Sequence, residues 1–115
     1  MAGGKQCIEF GRNAARTECG VAYALDALSR KTVDLGAVRT GIETAKVFAG
    51  RAAELFPRAK KEAQLVAREA SRIGKDVRTL KKLSKDKAGK IRKDVEDLRN
   101  KARKLFEKGE GICRK

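Results

Sequence analysis

Apolar residues recur at steps of three and four along almost the whole chain, and that spacing restricts it to helices. Cys7, Phe10, Ala14, Val21, Leu25 and Leu28 form a first row. Leu35, Val38, Ile42, Ala45, Ala49, Ala52 and Phe56 form a second without a miss. Val66, Ala70, Ile73, Val77, Leu80, Ser84, Ala88, Ile91, Val95, Leu98, Ala102 and Leu105 form a third. Such steps return to one side of an α-helix. No stretch alternates residue by residue as a half-buried strand does, and β-branched clusters are missing.

Chemical signals place the breaks. Ser29-Arg30-Lys31-Thr32 ends the first helix, and Thr32 or Asp34 can cap the second, because a short side-chain oxygen accepts from free first-turn amides. Pro57 suits a first helical turn and drives Phe56 out of helical angles. Gly109-Glu110-Gly111 predicts the final stop. The third row admits two readings. Its frame shifts across Ser84–Gly89, either as a stutter within one helix or as a turn capped by Ser84 or Asp86 and eased by Gly89. A continuous helix would run to roughly 75 Å at about 1.5 Å per residue. It would need another subunit to cover its apolar stripe. A break instead matches four helices of similar length to a bundle. The expected fold is all-α: a single helical domain over 1–115, an elongated bundle or hairpin. Its amphipathic helices lie near 5–29, 33–56, 58–83 and 88–108, the last two separate or joined.

Apolar residues are 41% of the 115, but only 4% are aromatic and much of the rest is alanine, so the core must come from close backbone approach. Ala37, Gly41, Ala45, Ala49 and Ala53 stand four apart on the second helix, and Gly11, Ala15 and Cys19 make a shorter row on the first. Small residues at that spacing let two helices touch. A glycine inside a helix costs about 1 kcal/mol against alanine unless its space is needed.

Charge divides the chain into a near-neutral packing half and a strongly basic half. Residues 1–56 carry eight Lys/Arg against six Asp/Glu, while 57–115 carry twenty-one against nine, so the second part holds +12 of the net +14. With the third row facing inward, Lys60, Lys61, Arg68, Arg72, Lys75, Arg78, Lys81, Lys82 and Lys85 fall on the outward side or its flanks. Lys90, Arg92, Lys93, Arg99, Lys101, Arg103 and Lys104 continue them. Nine acids cannot neutralise twenty-one bases. A surplus of that size attracts polyanions, and phosphates that pair with it release counterions without regard to sequence. Base-specific readout is not signalled: Gln6, Asn13, Gln64 and Asn100 are scattered, and the aromatic residues sit mostly on apolar faces.

Chemistry is excluded more easily. The chain has no histidine, so the usual general base and the usual partner of a Ser or Cys nucleophile are missing. No phosphate loop of the G-x-x-x-x-G-K-[ST] type occurs. No catalytic residue, metal site, cofactor or small-molecule substrate is expected. Three cysteines are an odd number. Cys7 and Cys19 are twelve residues apart on one helix, roughly 18 Å, too far to bridge. Cys113 could meet Cys7 only if the termini lie together. The expectation is small, buried or incidental thiols.

These features point to a non-enzymatic structural protein that binds double-stranded nucleic acid, DNA before RNA, through its phosphate backbone, as a coat, nucleocapsid or architectural packaging protein that self-associates. Composition and helix layout resemble the small basic helical coat proteins of filamentous DNA viruses of archaea, and chromatin-type architectural proteins, with no shared motif. The runner-up is a peripheral protein on an anionic membrane surface, which a lysine-rich amphipathic helix can suit. A helical adaptor for an acidic partner or a ribonucleoprotein is the third reading. The start lacks a signal peptide's apolar run, and no window reaches the roughly 18 apolar residues of a spanning helix. An intracellular or virion location is expected.

Overall fold

A computed structural model describes residues 4–30, 33–79 and 85–113. Four α-helices follow one another: α1 (Gly4–Ser29), α2 (Leu35–Leu55), α3 (Lys60–Arg78) and α4 (Lys85–Cys113), with a 3₁₀ turn at Pro57–Ala59 before α3. They pack as an all-α bundle measuring 51 × 21 × 18 Å. Each helix packs against its chain neighbours, α4 closes against α1, and among the described residues the backbones of the diagonal pairs stay more than 8 Å apart.

Contacts between helices give their directions. Glu62 of α3 meets Lys108 of α4, Glu69 meets Lys101, and Arg72 meets Asp94. As the numbers rise along one helix they fall along the other, so the pair is antiparallel. Glu18 with Arg103 and Cys7 with Cys113 show the same for α1 and α4. α3 and α4 are therefore separate helices running in opposite directions, and one continuous third helix is ruled out. Leu80 and Ser84 lie outside the described residues. Gly89 is no part of a turn; it stands inside α4.

Local signals worked well at α2. Asp34 is its cap: its Oδ1 accepts from the amide of Ala37 at 3.1 Å. Phe56, ahead of Pro57, leaves helical angles at φ −134° and ψ 84°. The rows read from the sequence line the core, with Phe10, Val21, Val38, Ile42, Val66, Ile73, Val95, Leu98 and Leu105 all buried.

Three expectations are corrected. First, α4 does not stop at Gly109 but runs on to Cys113. A Cβ on Gly109 would lie 1.9 Å from Cε1 of Phe10, so this glycine makes room for a ring rather than ending a helix. That ring stacks tilted on Phe56, centroids 4.6 Å apart, and plugs one end of the bundle. Second, the termini do lie together: Cys7 and Cys113 form a disulfide across 106 residues. Cys19 is a free thiol, exposed rather than buried.

Third, the close seam between α1 and α2 uses a different row of α1. Ala37, Gly41, Ala45, Ala49 and Ala53 are buried as expected. Their partner is Gly20: a Cβ on Gly41 would stand 2.5 Å from the Gly20 carbonyl oxygen, and one on Gly20 would stand 2.7 Å from that of Gly41. Ala15 and Cys19 face solvent, and a Cβ on Gly11 would meet nothing within 4 Å. Asn13 and Thr17 take the buried places instead. They are satisfied within the helix, Thr17 donating to the Asn13 carbonyl at 2.7 Å and Asn13 to that of Glu9 at 2.9 Å. Burial of these polar groups is inexpensive because every one is bonded.

Candidate nucleic-acid interface

The apolar rows of α3 and α4 point inward, so their bases must lie outside or at the seams. Along α3, Lys61, Arg68 and Lys75 are seven residues apart, which repeats nearly the same angular position opposite the buried Val66, Ala70 and Ile73. Lys60 and Arg78 flank that row on the α2 side. Along α4, Lys93 and Lys104 point away from the buried Val95 and Leu98, with Lys90 on the α3 side and Arg99 on the α1 side. All nine are exposed, and none makes an ion pair among the described residues.

Others of the expected set are engaged by the bundle. Arg72 donates to Glu69 at 3.0 Å and stands 3.8 Å from both Asp76 and Asp94. Lys101 reaches Glu69 at 3.6 Å. Together with Lys108 and Glu62 they form an ionic seam between α3 and α4. The hydrogen bond from Arg72 holds the Glu69 carboxyl below its ordinary value, with Lys101 adding to the effect, while Glu69 raises Arg72. Glu62 is lowered likewise, first by its bond from Lys108. Arg92 and Arg103 turn to α1, where Arg92 donates to the Ser29 hydroxyl at 2.6 Å and Arg103 pairs with Glu18 at 3.5 Å. Lys81 and Lys82 lie outside the described residues, as does the side chain of Lys85.

The chain matches no family model, no curated protein and no solved structure. In the first half Arg12 pairs with Glu9 and Arg30 with Asp26, while Arg16 and Arg51 both lie 5.3 Å from the centre of the Phe48 ring. Asn13 is 4% exposed and cannot reach a base edge. Among the described residues no group of three His, Cys, Asp or Glu side chains could hold a metal ion, and no helix is long and apolar enough to cross a membrane.

Sequence reasoning gave Ser29 only a helix end and set Asn100 aside as scattered. Both line a groove between α1 and α4 with Leu25, Arg92, Glu96, Arg99 and Arg103. The signal was present: Arg92, Arg99 and Arg103 are spaced seven and four apart and so share one side of α4. Grouping all the bases together hid that side.

Proposed function

We propose that the protein binds nucleic-acid duplexes through their phosphates in a non-enzymatic, structural role, with the outer faces of α3 and α4 as the contact surface. The observation that carries this reading is the set of nine exposed cations without ion-pair partners on two adjacent antiparallel helices. The row from Lys61 to Lys75 extends about 21 Å at 1.5 Å per residue, and neighbouring helix axes lie about 8–10 Å apart. A strip of those dimensions meets several phosphates at once. Paired Arg72 and Lys101 shape it and contribute less.

One support for a coat-like assembly changes. The apolar stripe of α3 and α4 is covered within the bundle, so no neighbouring subunit is required to bury it. Packing of many copies along a duplex would instead rest on the near-neutral α1–α2 face, where Ile8, Tyr23 and Val47 are exposed. An architectural protein acting copy by copy needs less from its neighbours, and we favour it. The Cys7–Cys113 bridge suits a packaged particle or another oxidising setting. Membrane attachment is disfavoured because Ile91, Val95, Leu98 and Leu105, which would have to enter the lipid, are core residues.

Duplex titration of the full chain at several salt concentrations tests the reading. Nine phosphate contacts correspond to a slope of log K against log salt near −8, at about 0.9 per contact. No complex in dilute buffer would end it.

A further inference from the structure

We propose that the groove between α1 and α4 is a strand-binding seat in which Arg92, Arg99 and Arg103 hold successive phosphodiester groups of the nucleic acid. The proposal rests on the phosphate-binding reading above and separates, within it, a shaped site from a diffuse field.

Among the described side chains from Lys90 onward, the cations of α4 separate by type. Arg92, Arg99 and Arg103 all line the α1 groove. Lys101 and Lys108 reach α3, and Lys93 and Lys104 point outward. Net charge alone does not need that sorting, because lysine and arginine carry the same charge. Guanidinium differs in offering a planar fork that matches two phosphate oxygens, whereas ammonium acts as a point charge. The forked side chains stand where the surface is concave.

The donors are open for such contact. Arg103 meets Glu18 through Nε, and its terminal nitrogens make no ion pair among the described residues. Arg92 gives one terminal nitrogen to Ser29. Arg99, between them, has no ion-pair partner among the described residues. The Asn100 amide and the Ser29 hydroxyl add neutral groups, and Glu96 is the one carboxylate in the lining. Room is available, about 460 Å³. From Arg92 to Arg103 is about 16 Å along the helix at 1.5 Å per residue. That is too long for one phosphate ion and suits a run of linked phosphates.

Anisotropy titrations of a mixed-sequence 20-base-pair duplex with the full chain test this, using Arg99→Lys, Arg99→Gln and Lys104→Gln. Arg99→Lys keeps the charge; it should weaken binding about tenfold, the loss of one charge-assisted hydrogen bond, with the salt slope unchanged. Arg99→Gln should weaken binding further and reduce the slope by about 0.9. Lys104→Gln should change the slope alike but the affinity less. In a second measurement on the unaltered protein, duplex should slow dicarbonyl modification of Arg99 and Arg103 severalfold and leave Arg12 unaffected. Wild-type binding by Arg99→Lys, or equal modification of Arg99 with and without duplex, overturns the seat and leaves the diffuse field intact. Absence of any duplex binding by the unaltered chain removes both. Arg99 is exposed and makes no ion pair, so its variants should melt with the parent; if they do not, the modification experiment decides.

Discussion

The two halves of this bundle hold their helices together by different physics. In the α1–α2 pair, backbones touch at Gly20 and Gly41, flanked by alanines and by hydroxyl and amide groups bonded within their own helix. In the α3–α4 pair, Val66, Ile73, Val95 and Leu98 fill the interior and charged side chains cross the rim. Close packing brings the backbones together at the first seam, where Arg16 of α1 reaches across to the ring of Phe48 of α2. Larger core residues at the second hold the helices where Glu–Lys and Asp–Arg pairs can span them. The half built on small residues is nearly neutral outside; the half built on branched residues carries the cationic strip. The glycine seam and the row Lys61–Arg68–Lys75 thus lie on different faces of the bundle, and each can be perturbed alone.

The strongest way to break the comparison is to cut the bond that ties the halves together. Cys7 and Cys113 join α1 to α4 across 106 residues. A closed loop of about 100 residues stabilises by about 4–5 kcal/mol in the chain-entropy account. Cys7→Ser with Cys113→Ser should lower the urea midpoint accordingly, and reduction of the parent should do the same. A midpoint unchanged by either would show that helix packing alone sets stability.

Glycines sharpen the contrast. Gly41→Ala should destabilise by about 2 kcal/mol, since backbone on two helices must shift and overpacking costs about 1–3 kcal/mol. On α4, a Cβ at Gly89 would meet nothing within 4 Å. Gly89→Ala should stabilise by about 1 kcal/mol through helix propensity alone. Chemical denaturation of both variants gives the two signs; equal signs would mean the α1–α2 seam is looser than described.

For binding, Lys61→Gln with Arg68→Gln and Lys75→Gln should reduce the salt slope by about 2.7, at about 0.9 per contact. The same exchange at Lys5, Arg12 and Lys46 on the first half should leave it nearly unchanged. Similar losses from both triple variants would place binding on no particular face.

The smallest effect concerns acid. Glu62 and Glu69 have carboxyl values lowered from 4.5 by Lys108 and Arg72. A lowered carboxyl stabilises the fold above its unfolded value and loses that contribution as pH falls through the folded one. Melting temperature should therefore decline below about pH 4.5, and less so in a Glu62→Gln, Glu69→Gln variant. Identical declines in parent and variant would remove these pairs from the stability of the α3–α4 seam.

Much of this was legible in the chain. Rows at three and four gave the buried faces, Asp34 the cap and Pro57 the joint. The α2 stripe showed the close seam because Gly41 stands among alanines. Its partner was misread because α1 carries two rows of small or short residues, Gly11-Ala15-Cys19 and Asn13-Thr17-Gly20. Burial of Phe10, Val21 and Leu28 turns the first outward. Gly109 was misread as a stop because a glycine that yields space to a distant ring looks, locally, like one that ends a helix.

Helical character, inward faces and the charge imbalance were determined by the sequence alone, whereas the split of the third row into α3 and α4 was not. Each of the first three depends on residues a few positions apart, and the 3.6-residue period of the helix converts spacing into direction without reference to anything else. Which cations are neutralised, which three arginines share a groove, and which cysteines bond were decided only by tertiary structure. Arg92 and Ser29 are 63 residues apart, Lys108 and Glu62 are 46 apart, and Cys7 and Cys113 are 106 apart. Their meeting depends on the register between whole helices, which is set where glycine, alanine and branched side chains fit together in the core.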